Sequence, residues 1–279
     1  VSEVQHFAYG PITPILAYAV SVLGSLLGLT CTKRVREATT TGSKIWWLLL
    51  AAWALGGTGI WTMHFLAMLG FDVVGSPIRF DIGTTALSAV AAVVVVGAGL
   101  LFVGLGRPTA VKIIVGGFFT GLGVAGMHYI GTAALRVDGD IQHDRSLVIA
   151  SIVIAVVAAT VALWFTVIVS KPAYLFASAL LMGLAVCGMH YTGMAAMSVR
   201  AHEPTFGMHG ATASTMLLPI IVLVILVVIA LFYALLSGPS GEDVSARAYL
   251  AQTQQDRLDE ERRAAEPIAG RPYRQRTQR

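Results

Sequence analysis

The chain reads as an all-α polytopic membrane protein, with seven transmembrane helices built from three parallel two-helix repeats plus a final helix. Three observations predict this. Only 12% of the 279 residues are charged and 56% are hydrophobic, whereas a water-soluble domain carries about a quarter charged residues. Seven apolar stretches are long enough to cross a hydrocarbon core about 30 Å thick, which takes roughly 20 helical residues. One short pattern centred on a histidine recurs three times at even spacing.

After an extracytoplasmic N-terminus (1–10), the stretches are Pro11–Cys31, Lys44–Leu69, Ile82–Leu105, Thr109–Leu135, Ser146–Val169, Pro172–Val199 and Ser214–Leu236. They are apolar on all sides and uninterrupted, which favours helices over the short alternating strands of a barrel. Residues 11–236 thus form the membrane domain, and 237–279 a charged cytoplasmic tail. Within the tail, Ala246–Ala265 has good helix formers and Glu/Arg neighbours, so a short helix is predicted there. The tail is too short for a catalytic domain, and no enzymatic activity is expected. No basic segment precedes the first apolar run and no cleavage site follows it, so no signal peptide is expected. Cys31 and Cys187 sit in or at the edge of apolar segments and fit neither a disulfide framework nor a zinc ribbon.

The loops set the orientation. Lys33, Arg34, Arg36 and Lys44 flank the first loop, Arg107 and Lys112 the third, and Lys171 the fifth. On the other side Arg79, Arg136, Arg145 and Arg200 are balanced by Glu3, Asp72, Asp81, Asp138, Asp140, Asp144 and Glu203. The positive-inside rule puts the N-terminus outside and the C-terminus in the cytoplasm of a cell membrane. A pI near 9.2 could suggest nucleic acid, but eight of the 19 basic residues lie in the last 42 and most others in these loops. No nucleic-acid partner is expected.

Three segments align without gaps: GTGIWTMHFLAML (57–69), GLGVAGMHYIGTA (121–133) and GLAVCGMHYTGMA (183–195). Each has a Gly six residues before Met-His and an aromatic residue after it. His64, His128 and His190 are spaced by 64 and 62 residues, the length of two membrane helices and their loops. A two-helix unit returns the chain to the side it left, so the copies are parallel and the histidines share one depth. They stand 18 to 20 residues from the cytoplasmic starts of their helices, about 27–30 Å at 1.5 Å per residue. That is just below the outer interface. None of the nine methionines or seven histidines falls on the cytoplasmic side: His6, His143, His202, Met208 and His209 lie in outer segments, Met216 opens the last helix, and only Met182 is deeper.

An ionisable residue inside a membrane helix is costly and marks a functional site by default. A single histidine could serve as a helix–helix hydrogen bonder; three in register, each beside a Met, point beyond packing. Positions three and four apart share a helix face, so His64 pairs with Met68, and Cys187, His190, Met194 and Met197 form one stripe. Met63, Met127 and Met189 lie about 100° around from their histidines and either serve neighbouring helices or simply pack. Imidazole with thioether and thiol is a soft donor set that suits copper better than magnesium or calcium. The motif turns hold no Asp or Glu, which argues against a carboxylate di-iron site. Zinc on three histidines is possible but leaves the methionines unexplained; haem needs only one or two axial ligands and stays open. The glycines of GSLLG (24–28) and GFFTG (117–121) read as devices for close helix approach.

These residues closely resemble the MHYT domain, a bacterial integral membrane module named for its repeated Met-His-Tyr-Thr motif. GMHYTGMAAM (188–197) matches letter for letter, GMHYIGTAAL (126–135) departs at Ile130, and WTMHFLAML (61–69) departs at Phe65 and Leu66. The resemblance spans about residues 11–236. It implies a sensor that binds copper near the outer face and detects a diatomic gas such as oxygen, carbon monoxide or nitric oxide. Carried over by position, it implicates Met63 and His64, Met127 and His128, and Met189 and His190. It also implies a cytoplasmic signalling partner, since many such modules are joined to cyclic-di-GMP enzymes or histidine kinases. Two other readings stand beside it. A copper-handling protein predicts polar residues continuing across the bilayer, yet the helices below the motifs are almost purely apolar. A membrane oxidoreductase predicts haem or another redox centre.

Overall fold

The computed structural model describes residues 4–5, 8–73, 76–201, 210–237 and 241–265; His6, His202, Met208 and His209 lie outside them. Seven of its helices are long and apolar enough to cross a membrane: α1 (Ile12–Glu37), α2 (Thr41–Met68), α3 (Ile82–Gly104), α4 (Ala110–Ala133), α5 (Arg145–Ile168), α6 (Pro172–Ala195) and α7 (Ala213–Ser237). The tail forms α8 (Gly241–Ala265), five residues longer at its start than predicted. The chain divides into two compact units, with the boundary between Leu235 and Leu236.

Caps fix where the helices begin. Asp81 accepts from the Thr84 backbone N–H at 2.8 Å, and Asp144 from those of Ser146 and Leu147 at 2.8 and 3.1 Å. At the other end Thr40 and Thr109 accept from Ser43 and Lys112, and Pro172 opens α6. Such side chains replace the helical partners that the first N–H groups lack. The Thr84 backbone and hydroxyl donors, helped by Arg136, hold the Asp81 carboxyl below its ordinary pKa.

Helices α1 to α6 close into a ring, each packed on the next and α6 on α1. Backbones touch where side chains are absent. A Cβ added at Gly24 would overlap the Gly59 backbone of α2, at Gly28 the Leu55 side chain, at Gly117 Thr160, and at Gly121 the Ala155 and Val156 backbone of α5. The glycines that were read as packing devices therefore bring α1 onto α2 and α4 onto α5. Helix α7 stands apart: 11% of its apolar window is buried against 61% for α2, so most of its surface faces the bilayer. Met216, Ile220 and Leu231 are its buried side chains.

Three features depart from the sequence expectation. Helix α1 runs to Glu37 rather than Cys31, because Lys33, Arg34 and Arg36 continue the helix past the apolar run; the Arg36 guanidinium donates to the Thr166 and Val169 carbonyls at the end of α5. Helix α6 stops at Ala195 rather than Val199, so Met197 leaves the His190 stripe for a strand. Within α2, Trp53–Thr62 is π-helical, and the Thr62 hydroxyl donates to the Gly57 carbonyl five residues back.

The strand belongs to a pattern that hydropathy does not reveal. Strands β1 (Val4–Gln5), β2 (Asp72–Val73), β3 (Arg79–Phe80), β4 (Leu135–Arg136), β5 (Gly139–His143) and β6 (Met197–Ala201) pair antiparallel as β1 with β2, β3 with β4 and β5 with β6. Each pair joins the segment before an odd helix to the segment after the next even one. The chain is thus three units, 4–73, 79–136 and 139–201, each two helices strapped at one end. Asp81 and Arg136 add an exposed ion pair to the middle strap.

Gly24→Ala is expected to destabilise the ring by about 1–3 kcal/mol through overpacking. Gly126→Ala, whose Cβ meets nothing within 4 Å, stays within about 0.5 kcal/mol. Unfolding midpoints in detergent check the difference.

Candidate metal centre

The three motif helices α2, α4 and α6 each send one histidine to the middle of the ring. His64, His128 and His190 are 2%, 0% and 0% exposed. Their Nδ1 atoms form a near-equilateral triangle, with sides of 3.0 Å (His64–His190), 3.2 Å (His64–His128) and 3.3 Å (His128–His190). The rings stand edge to face like three blades, with centroids 5.0–5.1 Å apart and planes 74–85° from one another.

Local packing holds each blade. Tyr129 and Tyr191 lie edge-on to the preceding histidines at 4.9 and 5.1 Å, and the Tyr129 hydroxyl meets Ser151 Oγ at 2.6 Å. In the first copy Phe65 instead packs on Trp61 and Phe80. The residue three after the histidine makes room for the next blade: a Cβ at Gly131 would overlap His64 Nε2, and one at Gly193 would overlap His128 Nε2. The Thr of the motif, Thr192, only bonds back to the Gly188 carbonyl of its own helix.

A neutral imidazole nitrogen either donates or accepts, so at least one of the three Nδ1 contacts sets two donors or two acceptors against each other. In a buried site that mismatch costs free energy. One metal ion removes it by taking all three lone pairs. The corners of such a triangle lie about 1.8 Å from its centre, close to a metal–imidazole bond of roughly 2.0–2.1 Å, so His64, His128 and His190 are spaced to hold one ion. Among the described residues the three histidines form a potential ion-holding group with ligand atoms all within 4.8 Å. One point is unusual. A metal-bound histidine ordinarily donates its second N–H to a partner, yet Nε2 of His64 and of His128 has none among the described residues.

The sulfur residues surround this triangle in three groups. Met68 and Met194 occupy the positions four after His64 and His190, Thr132 the same position in the second copy, and all three are buried. They lie one turn nearer the strapped end of the ring. Met127 and Met189 belong to the main apolar core. Met63 and Cys187 share a separate cluster with Ala17 and Ala67 between α1, α2 and α6, so the cysteine neighbours a methionine of another helix. What sequence reasoning missed is the role of Gly131 and Gly193; their signal is a glycine three after the histidine in two of the three copies.

A family model described as a bacterial signalling protein N-terminal repeat, MHYT, matches residues 57–116, 121–179 and 183–245. The chain is 36% identical over 199 residues to the bifunctional diguanylate cyclase/cyclic di-GMP phosphodiesterase MucR of Pseudomonas aeruginosa, covering 68% of this chain and 28% of that protein. It is 33% identical over 216 residues to the cyclic di-GMP phosphodiesterase NbdA of the same organism, covering 72% and 26%. It is 30% identical over 212 residues to the signalling protein YkoW of Bacillus subtilis, covering 73% and 26%. The matched region is thus about a quarter of each relative's length. No solved structure matches the chain.

Gly131→Ala and Gly193→Ala are expected to weaken transition-metal binding about 10–100-fold by displacing a ligand ring, as disturbed outer shells do. Gly188→Ala, with nothing within 4 Å of its Cβ, leaves affinity unchanged. Competition titration with a chelator measures both.

Proposed function

We propose a function from a fixed premise: the chain belongs to the MHYT family of bacterial signalling proteins. It is a multi-pass membrane protein with a sensor or signalling role. Our reading is that His64, His128 and His190 hold one copper ion through Nδ1, and that the centre detects a diatomic gas or the redox state at the outer face of the membrane. The observation that carries it is the buried Nδ1 triangle.

Copper is favoured over the alternatives by donor chemistry. Imidazole sites bind divalent copper more tightly than the other first-row ions, and the neighbouring thioethers suit its reduced form. Three nitrogens within 3.3 Å of one another leave no room for a haem plane between them. Three protein ligands leave one coordination position open, where copper supplies a binding point for oxygen, carbon monoxide or nitric oxide. The protein's own part is to orient and to exclude water. The tyrosines and glycines fix the imidazole planes, and Met68, Thr132 and Met194 separate the triangle from the strapped end.

A ligand signals only if it binds two conformations differently. Helix α2 carries both His64 and the π-helical turns, and such turns are often found at functional sites. Recovering regular α-helix there would rotate His64 relative to the start of α2 at Thr41. That motion would reach the Lys/Arg-rich loops and a cytoplasmic signalling partner. MucR and NbdA are named for cyclic di-GMP turnover, and the same messenger is the proposed output for this chain.

Purified protein in detergent is expected to bind one copper per chain, and changing His64, His128 and His190 to Ala abolishes it. Wild-type protein that takes up no copper in either oxidation state would sink the proposal. For orientation, Asp140→Cys is expected to react with an impermeant maleimide in intact cells, because Cys31 and Cys187 are buried; protection until the cells are lysed would reverse the topology.

A further inference from the structure

Below the histidine triangle lies a partly open space inside the ring. A cavity of about 60 Å³ begins one turn from the imidazoles on all three motif helices: Ile60, Val124 and Val186, each four residues before a histidine, line it. Leu55, Leu100, Leu163 and Met189 complete most of an apolar wall. The space exists because of α5. Ala155, Ala158, Ala159 and Ala162 recur at the period of one helix face and line the space with methyl groups, beside Leu163 and Thr166 of the same helix.

The dimensions and lining select the occupant. Polar side chains in the wall are few, and the Thr166 hydroxyl is bonded to the Leu163 carbonyl at 2.6 Å. A water molecule needs two to four polar partners, whereas apolar cavities stay dry and take apolar guests such as xenon. The volume admits one or two atoms' worth of guest, not a lipid chain. A route is present as well. A groove on the opposite face of α5 and α6, lined by Val153, Val157, Phe165 and Leu181, shares Ala158, Met182 and Ala185 with the cavity wall. Those three side chains separate hydrocarbon from cavity, and small apolar molecules concentrate in hydrocarbon.

We propose that this cavity binds a small apolar molecule of diatomic-gas size, taken laterally from the bilayer between α5 and α6 and held one helical turn from the histidine centre. Its part in signalling rests on the sensor reading above; the binding itself does not. The ligand thereby enters without passing the buried residues Met68, Thr132 and Met194.

Xenon NMR of the full chain in lipid nanodiscs, with empty nanodiscs as blank, tests this. Saturable, protein-dependent binding is expected. Ala159→Phe fills the cavity and weakens binding at least tenfold; Ala159→Leu serves the same purpose if the larger side chain prevents folding. Ile149→Phe, on the lipid side of the same helix at 62% exposure and outside both the cavity and the groove, leaves binding unchanged. Ala185→Leu, in the shared wall, slows xenon exchange at least threefold. Absent binding, or binding that survives both cavity-filling changes, overturns the site; exchange as fast as wild type in Ala185→Leu overturns the lateral route. Metal content is read on the same samples. Metal-free wild-type protein that still binds xenon removes the copper reading alone, and copper-loaded protein that does not bind xenon removes the cavity alone.

Discussion

Three imidazoles withdrawn from water to the middle of an apolar ring impose the constraint on which the rest depends. A buried nitrogen must find a partner, and here the Nδ1 partners come from one another's helices at 3.0–3.3 Å. Histidine is a short side chain, so three helix axes have to converge. Glycine answers this twice, first between backbones at Gly24 and Gly121, then between backbone and imidazole at Gly131 and Gly193. The ring of six helices gives each motif helix an outer neighbour on both sides, which shields the polar centre from lipid.

Much of this was legible in the chain itself. Hydropathy located seven spans to within a few residues, and the parity of the two-helix repeat put the three histidines at one depth. That they meet at one point needed the ring to close, which spacing alone does not state. The misplaced boundaries have simple causes: apolar character does not mark where Lys33 and Arg36 keep helical geometry, nor where Met197 changes from helix to strand. Two-residue strands carry no alternation to read. The π-helical turns of α2 were equally silent, because a shift from i→i−4 to i→i−5 bonding leaves no mark in hydropathy or in the motif spacing. Sulfur was partly misleading as a guide to neighbours. Met63 follows the same pattern as Met127 and Met189, yet it lies with Cys187 in a cluster of its own.

The three copies are related without being equal. The first has Phe65 where the others have Tyr129 and Tyr191, Ala67 where they have Gly131 and Gly193, and it alone is preceded by π-helical turns. The second has Thr132 between Met68 and Met194 in the layer nearest the straps. A symmetric centre gives every helix the same response to an occupant. Here the three histidines stand in unlike surroundings, and the π-helical turns set α2 apart from α4 and α6.

The straps have a consequence for how such a ring arises. Because β1 meets β2, β3 meets β4 and β5 meets β6, every unit ends beside the point where it began. A strapped pair can then be copied in tandem without rerouting the chain, with each copy placing its histidine on a common axis. The six-helix ring is thus three strapped two-helix units arranged around that axis.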